Sequence, residues 1–451
     1  MARKMLSLFC AMSFVALAAC GGTESGTDGT GKEDQSGKAA GGSSAQEAVK
    51  PSEPVELVFH TSTSDTEDTF NGLYGNMLKK KFPNYKIKFV QSKPGQTLPE
   101  LLAQKQPVDV LYQSVSYYPT MVEASQLQYD MTDLAKKHNV DLSAFMPTLV
   151  DGIRNSNGGK LTALPVTNTV QVLYYNKGIF DQFGVSYPKD GMTWDETLDI
   201  AKKLTRKDGD KQYLGFASSP ANMLGANQFS LPYLDPKTEK ATYQDDGWKK
   251  LFDTLYVAPG EDPAYKSRVA ALKALPYRLE LTNSQELAMF AFHSQFPFAV
   301  PKDVEKIQWD LVSLPTFKEK PGLGSQMIPF VFGVASISTN KDAAMEVIKY
   351  LTSTEAQMLF SKQGIMPVIN DDSVKKAFAQ ESQFKDKNWK SLFLNQPAPM
   401  APKTKYQIMV EGALTKQLPE IVTGAVDLNT AMRTAAEAAD KAVADEKLKQ
   451  K

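Results

Sequence analysis

The sequence predicts an α/β fold, mostly parallel sheets with helices on their faces, and three observations carry that prediction. Strand-like and helix-like segments alternate from Val55 onward, and the strand-like ones stop in short polar loops. The chain is also long enough for real cores. At roughly 150 residues per domain, 451 residues suggest two or three domains, and 42% apolar with 10% aromatic residues can fill them. Charge narrows the class further: 51 Lys and Arg against 51 Asp and Glu leave no basic footprint, so no nucleic-acid partner is expected.

The first element in chain order is a processing signal, residues 1–19. Arg3 and Lys4 give a positive start, and Met5 to Ala16 give an apolar run. Leu17-Ala18-Ala19-Cys20 closes it, with Gly21 and Gly22 behind. A Cys after a small residue, with Leu three positions earlier, resembles the lipobox of bacterial lipoproteins. Cys20 is then the expected lipidation site and N-terminus, holding acyl chains such as palmitate in the membrane. Cys10 falls in the discarded segment, which leaves no disulfide framework. Residues 20–52 are Gly, Ser, Thr, Asp, Glu, Lys and Ala with little to bury, the composition of a flexible tether. The expected location is extracytoplasmic, lipid-anchored to the outer face of the cell membrane of a Gram-positive bacterium.

Val55 to His60 alternates as a strand and runs into the polar loop Thr61-Ser62-Thr63-Ser64-Asp65. A helix is predicted over 66–81, with Phe70, Leu73, Met77 and Leu78 on one side and Pro83-Asn84 breaking it. Tyr85 to Val90 reads as a second strand, Leu98 to Gln104 as a short helix, and Val108 to Tyr112 as a third strand ending in Gln113-Ser114-Val115-Ser116-Tyr117-Tyr118. Ligands of such sheets bind beyond the carboxyl ends of the strands. Loops 61–65 and 113–118 therefore share the edge that is the first candidate site.

The next stretch is the most specific. Gly159-Lys160-Leu161-Thr162-Ala163-Leu164-Pro165-Val166 is followed by Tyr174-Tyr175-Asn176-Lys177 and then by Thr193-Trp194-Asp195-Glu196, where Thr193 and Glu196 can form a capping box. In order and spacing this resembles the extracellular solute-binding proteins of bacterial ABC transporters, the family that includes maltose-binding protein. The likeness continues through Leu287 to Phe292, Trp309 to Pro315, Phe332 to Ser338, Ala343 to Leu351, Gly364-Ile365-Met366-Pro367 and a closing Ala-rich helix over 426–447. It implies a two-lobed, type II periplasmic-binding-protein-like fold with crossing hinge strands. The first lobe is expected at 54–166 and 335–366, the second at 170–330 and 370–451, with hinges near 166–170, 330–335 and 366–370.

The resemblance also implies a function: a substrate-binding receptor of an ABC importer that captures a neutral sugar or oligosaccharide by hinge closure and hands it to permease subunits. The expected ligand residues are Ser62, Asp65, Ser114, Tyr117, Asn168, Phe216, Ser218, His293, Gln295, Phe296 and Gln326, with Trp248 and Trp389 as stacking rings. No cofactor is implied, and the receptor is expected to be a monomer. Alternatives are a receptor for a non-sugar solute, the ligand-presenting subunit of a sensor, and a cell-surface glycosidase. The glycosidase has the least support. The three histidines, His60, His138 and His293, stand at no metal-ligand spacing, so no metal site is expected, and no nucleophile elbow or phosphate loop occurs.

Overall fold

The computed structural model describes residues 54–449. Cys20, the signal segment and the tether lie outside the described residues. In chain order the strands are β1 Val55–Thr61, β2 Tyr85–Gln91, β3 Val110–Ser114, β4 Leu164–Thr167, β5 Gln171–Asn176, β6 Arg206–Asp208, β7 Lys211–Ser218, β8 Leu287–His293, β9 Trp309–Ser313, β10 Leu323–Gln326, β11 Phe330–Val334 and β12 Gln396–Ala398. They form two five-stranded sheets, ordered β2-β1-β3-β11-β4 and β6-β7-β8-β5-β9, and a small β10-β12 pair.

Pairing follows connectivity. Where strands are joined through helices they run parallel, as β1 does with β2 and β3 and as β7 does with β8. Where the chain arrives from the other sheet it pairs antiparallel: β11 between β3 and β4, and β5 between β8 and β9. Most strands of both sheets are buried on most of their residues, β4 and β5 on all of theirs, because helices cover both faces, whereas the edge strand β2 alternates and the edge strand β6 is exposed.

Local signals explain the main helices. Thr66 caps helix Glu67–Phe70, which continues through a π turn, Asn71–Gly75, into Asn76–Lys81. Phe70 stacks on Phe89 with centroids 4.8 Å apart and holds that helix to the first sheet. The capping box of helix Trp194–Leu204 is complete: Thr193 Oγ1 accepts from the Glu196 N–H while the Glu196 carboxylate accepts from the Thr193 N–H at 2.8 Å. That helix lies so close to β7 that a Cβ on Gly215 would stand 2.0 Å from the Ala201 carbonyl oxygen.

The chain passes between the sheets more than once. It leaves the first sheet after β4 and enters the second at β5, and it returns at β11. Helix Lys341–Leu351 then packs against β1, β4 and β11. Near the crossing, the Asn168 N–H donates to the Met366 carbonyl at 2.9 Å, and Phe145 bridges Ile369. Downstream, Asn388 donates from its backbone to Asp310 of β9, and helix Gln407–Thr415 packs on helices Leu428–Lys449 and Pro220–Gly225.

Candidate functional site

A cleft of about 660 Å³ opens at the carboxyl ends of β1 and β3. One wall comes from the first sheet and its loops: His60 and Ser62, Ser92 and Thr97, Gln113 and Tyr117, then Thr120, Met121 and Ser125 of helix Tyr118–Ala124 and its end. The other wall is helix Gln407–Thr415, which presents Ile408, Glu411, Gly412 and Thr415. The lining mixes hydroxyl groups (Ser62, Ser92, Thr97, Tyr117, Thr120, Ser125, Thr415) with an apolar surface from Leu98, Pro99, Met121 and Ile408. It contains no Lys or Arg, and Glu411 is its carboxylate.

Hydrogen bonds organise the first wall. Gln113 Nε2 donates to Ser62 Oγ at 2.7 Å, and Gln113 Oε1 accepts from the Ser114 N–H at 2.8 Å, so the two loops are tied together. His60 Nε2 lies 3.2 Å from the Gln96 carbonyl, and burial holds this imidazole below its ordinary range and therefore neutral. Thr120 Oγ1 and His60 Nδ1 have no hydrogen-bond partner among the described residues. Both atoms are buried as the walls stand.

Charge is concentrated at one point. Burial pushes the Glu411 carboxyl up to about 6, against the smaller opposing pull of the Tyr117 hydroxyl and the Lys403 ammonium. Tyr117 Oη donates to both carboxylate oxygens, at 3.2 and 3.3 Å. Lys403 is fully buried, and desolvation pulls it down to about 8. Its Nζ donates to the Gly225 carbonyl at 2.9 Å. A carboxylate in an otherwise uncharged, hydroxyl-rich wall accepts O–H donors and repels anions.

The expected ligand residues divide into three groups. Ser62 and Tyr117 line the cleft. Asp65 and Ser114 belong to the same sheet edge without lining it; Asp65 accepts from the Tyr112 hydroxyl at 3.4 Å. Asn168 and Gln326 are buried at the crossing. Gln326 is wholly enclosed, donating to the Asn227 carbonyl at 2.9 Å and accepting from the Ala401 N–H at 2.8 Å.

The remaining expected residues lie away from this cleft. Trp248 is wholly buried, stacked on Tyr233 at 5.3 Å with its Nε1 donating to Thr242, so neither ring face is open to a sugar. Trp389 packs among Phe298, Phe378 and Trp309 and donates to the Phe384 carbonyl at 2.7 Å. Phe216 is set against Trp194, and Phe296 against Tyr174; both are core. Ser218 and His293 end β7 and β8 of the second sheet, and Gln295 starts the short helix Phe296–Ala299; none of these three lines the cleft. Burial pulls the His293 imidazole down to about 4. Sequence reasoning missed Glu411, Gln113 and Thr120. The signal for Glu411 was its isolation: between Lys405 and Lys416 it is the one charged residue in an apolar helix.

Among the described residues, no group of three or more His, Cys, Asp and Glu could hold a metal ion, and no helix is long and apolar enough to cross a membrane.

Known proteins supply the context for this geometry. The chain is 34% identical over 92 residues to the sn-glycerol-3-phosphate-binding periplasmic protein of Salmonella typhimurium and 33% over 90 to that of Escherichia coli K12. It spans about a fifth of the length of these curated relatives, and the matched part is 20% of this chain. The fold resembles a Rhizobium etli sugar transporter in an open conformation, with TM-score 0.68 and 18% identity over 86% of this chain and 99% of that one. It also resembles a Listeria monocytogenes ABC substrate-binding protein in complex with cycloalternan, with TM-score 0.66 and 16% identity over 87% and 100%. A Thermotoga lettingae solute-binding protein bound to tagatose gives 0.63 and 18% over 86% and 99%. At these identities the structures speak to fold, which is the two-sheet α/β architecture of type II periplasmic-binding-protein-like receptors. The family model for bacterial extracellular solute-binding proteins matches residues 63–358, and the chain belongs to that family.

Proposed function

We propose that the protein is a membrane-tethered receptor of an ABC importer, capturing a neutral sugar or oligosaccharide between two lobes and delivering it to permease subunits. The first lobe is assigned to 54–167 with 330–366 and the second to 170–326 with 370–451, because β11 is an inner strand of the first sheet, and they close about the connections near 168–169, 327–329 and 366–370. Cys20 carries the lipid anchor, and the receptor acts as a monomer. The observation that carries the ligand class is the lining of the 660 Å³ cleft: Ser, Thr, Tyr, Gln and His groups set among apolar Leu98, Pro99, Met121 and Ile408, with one carboxylate and no Lys or Arg. Such a surface offers hydrogen-bond partners to hydroxyl groups and apolar area to a sugar face, whereas a phosphate monoester calls for guanidinium forks or convergent N–H groups.

Sugar-binding neighbours in the fold comparison support this reading. The phosphate-ester relatives favour a second reading, a glycerol-phosphate receptor, over the 92 matched residues. Glu411 weighs against it, because its carboxylate would face the phosphate. Titration calorimetry with mono- and oligosaccharides, amino acids and sn-glycerol 3-phosphate separates the two. Micromolar binding to a saccharide, weakened about tenfold or more in Glu411→Ala by the loss of a charged hydrogen-bond partner, is the expected result. Tight binding only to the phosphate ester would overturn the sugar assignment.

A further inference from the structure

The two walls of the cleft touch through a pair of side chains that are 294 residues apart in sequence. Tyr117 follows β3 at the edge of the first sheet, and Glu411 stands on helix Gln407–Thr415, which packs on helices of the second-sheet side. Both line the cleft, so their contact spans it. The single hydroxyl is shared between the two carboxylate oxygens at 3.2 and 3.3 Å, a bifurcated contact longer than a direct O–H···O bond. Charge and low local dielectric strengthen such a contact, but at this length it is a modest link that a competing partner can replace.

The surroundings keep the pair aimed at each other. On its own side Glu411 faces the Lys403 ammonium and the Tyr233 and Tyr243 hydroxyls. Tyr243 donates to the Val410 carbonyl at 2.6 Å, and Lys403 donates to Gly225, so both are engaged with the second-sheet side. A second contact between the sides supports the same approach: the Lys403 N–H donates to Ser156 Oγ at 3.2 Å, beside Met400 packed on Gly152 of helix Pro147–Ser156.

We propose that Tyr117 and Glu411 form a latch that holds the two walls together in the ligand-free protein and must part for a solute to reach the floor of the cleft. Each unbound receptor then divides its time between a latched form and an open form, and the bond strength sets the ratio. A solute that offers O–H groups to Glu411 substitutes for the Tyr117 hydroxyl, so the latch is also the bond that a suitable ligand replaces. An equilibrium of this kind moves only by differential interaction with the two states.

The test is ligand-free. Spin labels at Lys88→Cys on β2 and Lys207→Cys on β6 are placed in the full chain carrying Cys10→Ser and Cys20→Ser, and the distance distribution is read by double electron–electron resonance. The parent should show a short-distance population that Tyr117→Phe and Glu411→Ala each reduce about tenfold relative to the long one. The double variant should shift no further than either single, because both remove the same bond. Circular dichroism on each variant identifies any that fails to fold, and the other single then decides. A parent without the short population, single variants that superimpose on it, or additive shifts in the double variant would each overturn the latch. Maltose and mannobiose are added to the parent in parallel. If neither shortens the distribution, the sugar reading suffers while the latch stands.

Discussion

The Glu411 carboxyl and the His293 imidazole are held away from their ordinary ranges by the same cause, burial, yet they pull stability in opposite directions with pH. Glu411, raised to about 6, contributes stability that is fully present below the ordinary carboxylate range and is lost as pH rises through 6. His293, lowered to about 4, contributes stability that is present above about 6.5 and is lost as pH falls toward 4. The histidine shift is the larger, worth about 3 kcal/mol against about 2 kcal/mol for the carboxyl, so the pair together weakens the fold on acidification. Urea unfolding between pH 4 and 7 should therefore show His293→Gln flattening the acid loss and Glu411→Gln steepening it, the second variant being more stable than the parent at pH 7. Reversed slopes would contradict the burial of either group. Residues were unevenly legible in the sequence. Ser62 and Tyr117 follow strands whose alternation is visible, so their position at a sheet edge is a local inference. Trp248 and Trp389 look the same in sequence whether they stack on a ligand or on Tyr233 and Phe298, because ring burial is decided by partners far along the chain.

Elements were more legible than side chains wherever a cap or a period marks them. The Thr193–Glu196 box starts its helix where the sequence places it, and β8 and β9 lie where the apolar run from Leu287 and the family likeness from Trp309 put them. Limits shifted where neighbours decide them: β3 runs Val110–Ser114 because pairing with β11 carries it through Gln113 and Ser114. Helix Gln407–Thr415 could not be recognised as a cleft wall, since its orientation comes from packing on a helix that follows it in sequence. Glycine marks the tightest contact between elements. Gly333 of β11 has the Tyr118 hydroxyl and the Thr162 carbonyl oxygen 1.8 and 2.6 Å from where a Cβ would stand. Gly333→Ala should therefore cost about 1–3 kcal/mol in denaturant unfolding by forcing β11 off its neighbours. A variant as stable as the parent would show that Tyr118 yields freely.

At the scale of the whole molecule, the tether and its lipid would convert a free receptor into one kept at high local concentration beside its permease. Cys20→Ser should release the protein into the medium or leave it with its first nineteen residues attached, as read by fractionation and intact mass. Processed protein that stays with the membrane would refute the lipobox reading. The interleaving of the two sheets has its own consequence, for the order in which the protein is built. β11, synthesised after every strand of the second sheet, is the strand that joins β3 to β4 in the first. Until residue 334 has appeared, the earliest-made sheet lacks its middle and has two unpaired edges, while the second sheet can already close. The sheet whose first strand is made first is therefore the later of the two to be completed.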